Sequence, residues 1–145
     1  MGVRWRRCQH YASELNQRAK KFAIRVIRFF QDIPKTDEAR ILGKQLLRSG
    51  TSVAANYRAA CRSRSQEEFF SKLCIVVEES DETLFWLELL TESGIVSEHA
   101  VSELRNEAEE LLRIFSASRK TLKNKLDLKR TPEIKNQQIN KLTNQ

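Results

Sequence analysis

Carboxylates are the densest group of chemically capable side chains in this sequence. Glu78-Glu79, Asp81-Glu82 and Glu88 lie close together in one predicted helix. In a helical bundle, such carboxylates can bridge two metal ions, but that chemistry also uses a Glu-x-x-His motif on two of the helices. Neither His10 nor His99 completes that motif. No glycine-rich phosphate loop, H-E-x-x-H or G-x-S-x-G motif occurs either. The sequence therefore predicts no catalytic residue, no metal site and no cofactor, and the protein is not expected to be an enzyme. Cys8, Cys61 and Cys74 are odd in number and widely spaced, which does not make a disulfide framework or a zinc site. Cys61 and Cys74 sit among apolar helical residues and are expected to be buried as small hydrophobes.

A second polar group emerges if the segments before and after Ser63–Ser65 are antiparallel helices. Positions whose numbers sum to about 128 then face each other. Ser49 and Ser52 come near Glu79 or Val76, Asn56 comes near Lys72, and Arg48 reaches Glu79 or Glu82. Arg48, Ser49, Ser52, Asn56, Glu79 and Glu82 can form a hydrogen-bonded and ion-paired network that sets helix register. They can also line a pocket. The structural role is preferred because no nucleophile or base stands out among them.

The third group is cationic. Net charge is +7, unevenly placed. Residues 1–65 hold 15 basic and 4 acidic side chains, residues 66–112 hold 2 and 13, and residues 113–145 hold 9 and 2. Arg18, Lys21, Arg25 and Arg28 repeat at helical spacing. In an up-down bundle the first and last helices are neighbours, so this stripe is expected to join Arg119, Lys120 and Lys123 in one nucleic-acid-binding patch. Phosphate contacts of that kind tolerate any sequence and weaken with salt. Solvated faces, or attraction between basic and acidic helices, explain the same pattern without a ligand. Aromatic residues do not interleave with the cations as a single-strand platform requires.

The elements that must hold these groups are helices. Leu15, Ala19, Phe22, Val26, Phe29 and Ile33 recur at three and four residues, which predicts a helix from about Tyr11 to Asp32 that Pro34 stops. Ile24 and Ile27 fall off that seam and point to a contact outside the bundle. Thr36-Asp37-Glu38 starts a second helix with a cap and acids in its first turn. Its seam is Leu42, Leu46, Val53, Tyr57 and Ala60. Gly50 lies inside it, and the small residues around Gly50 suit close helix approach better than a break. Ser65-Gln66-Glu67-Glu68 is a capping box for the third helix, which ends at Gly94. The fourth begins near Ser97, carries Val101, Leu104, Ala108, Leu111, Leu112, Phe115 and Leu122, and fades at Lys123 to Lys125.

With 4 Gly and 2 Pro in 145 residues, a fold of many short strands is disfavoured. The expected architecture is all-α: an antiparallel up-down four-helix bundle over residues 11–125, a basic arm over 1–10, and a polar, mobile tail over 126–145. No apolar run is long enough for a signal peptide or a membrane span, so the expected compartment is the cytoplasm.

The stretch Leu46-Leu47-Arg48-Ser49-Gly50-Thr51-Ser52-Val53-Ala54-Ala55-Asn56-Tyr57-Arg58 carries a family resemblance. So do Phe69-Phe70-Ser71-Lys72-Leu73 and the run from Glu78 to Leu90. Together they resemble the four-helix bundle proteins encoded within intervening sequences of bacterial 23S ribosomal RNA genes. They are also similar to the accessory variability protein of diversity-generating retroelements. The resemblance covers roughly Ala19 to Lys123. It implies an up-down bundle that assembles as a ring-like homopentamer. The retroelement relatives use a basic ring surface to engage nucleic acid and a reverse transcriptase. Two positions depart from the family pattern: Ala59 and Ala60 follow Arg58 where an acidic residue is frequent, and Glu78 stands where Lys is frequent. The implied role is a non-enzymatic, homo-oligomeric accessory protein that binds RNA or DNA. The alternative is a protein-interaction scaffold without nucleic acid, motivated by the acidic middle block and the Ile24/Ile27 pair.

Overall fold

The computed structural model describes residues 2–143, with side chains over residues 12–129. Four helices follow one another: α1 (Gly2–Asp32), α2 (Asp37–Ala60), α3 (Gln66–Glu92) and α4 (Glu98–Thr143). No strand occurs among the described residues. The connections are short, so successive helices run antiparallel. α1 packs on α2, α2 on α3 and α3 on α4, while α1 and α4 close the bundle more loosely.

Local chemistry sets most of the boundaries. The Thr36 hydroxyl accepts from the Ala39 N–H at 3.4 Å, with Asp37 and Glu38 at the positive end of the helix. Ser65 accepts from the Glu68 N–H at 3.0 Å. Glu68 then reaches one residue further than a capping box requires and accepts from the Arg64 N–H at 2.9 Å. Gly94 adopts φ +73°, which lets the N–H groups of Ile95 and Val96 turn back to the Leu90 carbonyl at 3.1 and 3.2 Å.

At both ends of the chain the helices outrun their apolar seams. α1 begins at Gly2 rather than near Tyr11, so the basic arm expected over residues 1–10 is helical from residue 2. α4 does not fade at Lys123 to Lys125; it continues to Thr143, through most of the expected tail. Arg, Lys, Gln and Leu are good helix formers without a seam, and Leu126, four residues beyond Leu122, is itself buried. The expected mobility of residues 126–145 falls mostly outside the described side chains.

The predicted seams make the core. Phe22, Val26, Leu46, Val53, Leu73, Val76, Leu87, Leu90, Leu111 and Phe115 are all but inaccessible to solvent. Tyr57 of α2 and Phe115 of α4 meet across the centre with ring centroids 5.0 Å apart. Gly50 lies inside α2 without breaking it, and a Cβ there would stand 2.9 Å from both methyls of Val26. A Cβ at Gly43, two turns away, would run into Ile33 and Phe30. Both glycines thus let α1 and α2 approach closely. Ile24 and Ile27 remain outside, each 39% exposed. Among the described residues, no helix is long and apolar enough to cross a membrane.

Candidate nucleic-acid interface

The α2/α3 register brings Arg48, Glu79 and Glu82 of the predicted polar group together, with Ser49 bonded across to Thr83, while Ser52 and Asn56 bond within α2. Arg48 pairs with Glu82 and lies 3.5 Å from Glu79. Ser49 is fully buried and accepts a hydrogen bond from Thr83 Oγ1 at 3.1 Å, while lying within reach of the Leu46 carbonyl at 3.3 Å. Asn56 and Lys72 each find a partner on their own helix. The Asn56 amide donates to the Ser52 carbonyl at 2.9 Å, and Lys72 lies 4.0 Å from Glu68. Two members were not legible as such in the sequence: Thr83, and Trp86, whose indole N–H donates to Glu82 at 3.0 Å. Each stands four residues after a carboxylate of the group, the spacing that places side chains on one helix face.

The two carboxylates titrate in opposite directions. Burial raises the Glu79 carboxyl above its ordinary value, against the pull of Arg48, and one of its oxygens is buried without a partner. The Trp86 hydrogen bond, then Arg48, lowers Glu82. No nucleophile or second base converges on them. Among the described residues, no group of three or more His, Cys, Asp or Glu side chains could hold a metal ion. The arrangement ties α2 to α3 through Arg48, Glu79, Glu82, Ser49 and Thr83.

The cationic residues are divided. The Arg18 guanidinium forks onto Glu107 at 2.7 and 2.9 Å and lies 3.4 Å from Glu110; the Glu107 hydrogen bond is the main cause of its raised pKa. Arg25 lies 3.6 Å from Glu103. The acids of α4 therefore take up half of the predicted stripe, leaving Lys21 and Arg28 exposed. Lys123 does not extend it. Lys123 is sixteen residues beyond Glu107, which at 3.6 residues per turn turns it about 160° away from the α1-facing flank of α4. Arg119 is half-buried. The α4 flank that meets α1 thus carries carboxylates beside the stripe rather than further cations.

A different set of cations comes together between α1 and α2. Asn16, Gln17 and Lys20 form one bank of an open groove, Arg58 and Arg62 stand on the other, and Ala54, Ala55 and Cys61 complete it. Lys20, Arg58 and Arg62 are exposed and in no ion pair among the described residues. The i,i+4 spacing of Arg58 and Arg62 is visible in sequence, but their partner across the groove is not. Cys61 is exposed rather than buried, since it lies one residue past the last seam position, and Cys74 is half-buried. Partial burial raises the Cys61 thiol pKa, the opposite of an activated nucleophile.

Residues 12–117 match the 23S rRNA-intervening sequence protein family. This chain belongs to that family. A crystal structure of a protein of unknown function from the S23 ribosomal protein family of Bacteroides thetaiotaomicron superposes on it with a TM-score of 0.68. That protein is 29% identical, and the alignment covers 73% of this chain and 98% of the other. No curated protein matches the sequence. The 23S rRNA-intervening sequence protein match takes in the α2/α3 polar group and the α1/α2 groove and ends before Arg119, Lys120 and Lys123.

Proposed function

We propose that this member of the 23S rRNA-intervening sequence protein family is a non-enzymatic, cytoplasmic accessory protein that binds RNA or DNA as a homo-oligomer. The observation that carries this reading is the separation of charge in the folded bundle. The carboxylates of α4 occupy Arg18 and Arg25, yet Lys20, Lys21, Arg28, Arg58 and Arg62 remain exposed on α1 and α2. A cationic surface of this kind attracts a polyanion.

Self-association draws support from two apolar patches of opposite charge. Ile24 and Ile27 stand among the cations of α1; Ile75 and Phe85, 41% and 51% exposed, stand among Glu78, Asp81 and Glu88 on α3. A contact between two different faces closes into a ring when its rotation permits, and the family resemblance implies five copies. The same patches favour the second reading, a protein scaffold that needs no nucleic acid.

An anisotropy titration with structured ribosomal RNA and duplex DNA across a salt series tests the first reading. Binding that weakens steeply with salt is expected. No binding at low salt, or a salt-independent signal, rejects it. Pull-downs that survive nuclease treatment would favour the scaffold. Light scattering on the eluting protein tests the oligomer, and a 16.9 kDa particle would reject it.

A further inference from the structure

We propose that the α1/α2 groove seats a phosphodiester backbone, with Lys20 on one bank and Arg58 and Arg62 on the other closing on its phosphates. This rests on the nucleic-acid-binding reading above and names the site. Three features of the groove carry it.

The first is charge without compensation. Lys20, Arg58 and Arg62 line the groove, and among the described residues no carboxylate lines it and none of the three is ion-paired. The Arg18 and Arg25 side chains, by contrast, would have to abandon Glu107 and Glu103 to meet a phosphate. The second is shape. Ala54 and Ala55 keep the α2 bank low, so a ligand can approach cations on both helices at once. Arg58 and Arg62 are four residues apart on one face of α2, and their guanidinium forks match phosphate oxygens.

The third is the kind of contact available. Among the described residues the groove has no aromatic ring or long apolar side chain, so they offer neither a stacking platform for bases nor an anchor for a protein hot spot. The amides of Asn16 and Gln17 are the remaining polar groups, suited to sugar or phosphate oxygens. Recognition of this form reads the backbone and tolerates any sequence.

The test uses the full chain and two duplexes of the same sequence, one RNA and one DNA, followed by anisotropy over a salt series. The variant Lys20→Gln/Arg58→Gln/Arg62→Gln is compared with Arg18→Gln/Arg25→Gln. The groove variant is expected to lose about tenfold or more in affinity at low salt. Its log–log salt slope is expected to fall by about 2 to 3, near 0.9 for each phosphate contact removed. Loss on both duplexes identifies readout of the shared backbone; loss on RNA alone adds a contact to the 2′-hydroxyl.

Cys61 supplies a readout on the unsubstituted protein. Its alkylation by iodoacetamide, followed by peptide mass spectrometry, is expected to slow when duplex is bound, with Cys74 on α3 unaffected. Unmodified protein that binds while the groove variant keeps its affinity and slope overturns the assignment and leaves the general reading standing. Loss confined to the Arg18/Arg25 variant does the same, as does binding that leaves Cys61 unprotected. Failure of the unmodified protein to bind either duplex overturns both.

Discussion

Thr83 Oγ1 lies 3.1 Å from Ser49 Oγ, with both residues fully buried, so a side-chain hydrogen bond crosses from α2 to α3 inside the core. Thr83 also lies 2.7 Å from the Glu79 carbonyl and Ser49 3.3 Å from that of Leu46. The two hydroxyls thus form a short chain ending on backbone. Each hydroxyl keeps a carbonyl of its own helix within reach in any register, and only this register adds the bond between them.

That relationship predicts coupling. Ser49→Ala and Thr83→Val are each expected to destabilise by about 0.5 to 1.5 kcal/mol, because each removes the bond between the helices while the other hydroxyl keeps its own carbonyl. The double variant is expected to lose less than their total, by about 0.5 to 1 kcal/mol. Urea unfolding of all four proteins measures it, and additivity within about 0.3 kcal/mol would show that the two hydroxyls act independently.

Gly50 gives a prediction whose sign opposes helix propensity. In an open helix, Gly→Ala gains about 1 kcal/mol. Here the added methyl meets Val26 at 2.9 Å, and overpacking of this kind costs about 1 to 3 kcal/mol. Gly50→Ala is expected to lower the melting temperature, and adding Val26→Ala is expected to recover part of the loss. A rise in melting temperature for Gly50→Ala alone would mean that α1 yields easily.

Glu79 and Glu82 predict opposite pH effects. Glu79 is raised in the folded state, so its contribution to stability is most favourable below the ordinary value of about 4.5 and is lost as pH rises through its folded pKa. Glu82 is lowered, so its contribution is present above about 4.5 and is lost as pH falls through its folded pKa. Relative to the unmodified protein, Glu79→Gln is therefore expected to look better at pH 7 than at pH 3. Glu82→Gln is expected to look worse at pH 7, with the gap narrowing in acid. Denaturant midpoints at the two pH values decide, and parallel shifts for both variants would contradict the assignment.

The exposed α3 patch predicts a change in assembly without a change in folding. Phe85→Asp adds a charge to a surface that is half open in the single chain and already acidic. It is expected to reduce the particle toward 16.9 kDa by light scattering. Far-ultraviolet circular dichroism and the monomer's unfolding midpoint are expected to change little. An unaltered oligomer would place the contact on another face.

Much of this was legible in the sequence wherever the information is local. Thr36, Ser65 and Gly94 act through groups within a few residues of themselves, and they set helix ends as their types predict. The apolar seams sort inside from outside, as the burial of Leu46 and the exposure of Ile24 and Ile27 show. The α2/α3 polar group was legible because a short turn fixes the pairing. What failed depended on rotation of distant helices. The sequence leaves Arg18 and Arg25 open to a phosphate or to an acidic helix, and only the rotation of α4 brings Glu107 and Glu103 to them. Lys20 and Arg58 had no reason to be grouped until Gly43 and Gly50 drew α1 against α2. The ends of α1 and α4 were missed for another reason: good helix formers extend a helix where no seam announces it.

The loose seam between α1 and α4 has a mechanical consequence. On one edge α1 is held by steric fit at Gly43 and Gly50; on the other it is latched by Arg18 and Arg25 against Glu103, Glu107 and Glu110. Ionic screening weakens a latch of partly exposed charges and leaves steric fit untouched. High salt is thus expected to speed amide exchange along the exposed α1/α4 edge while α2 and α3 stay protected, slipping a bolt made of charge on a door that the shared apolar core still holds shut.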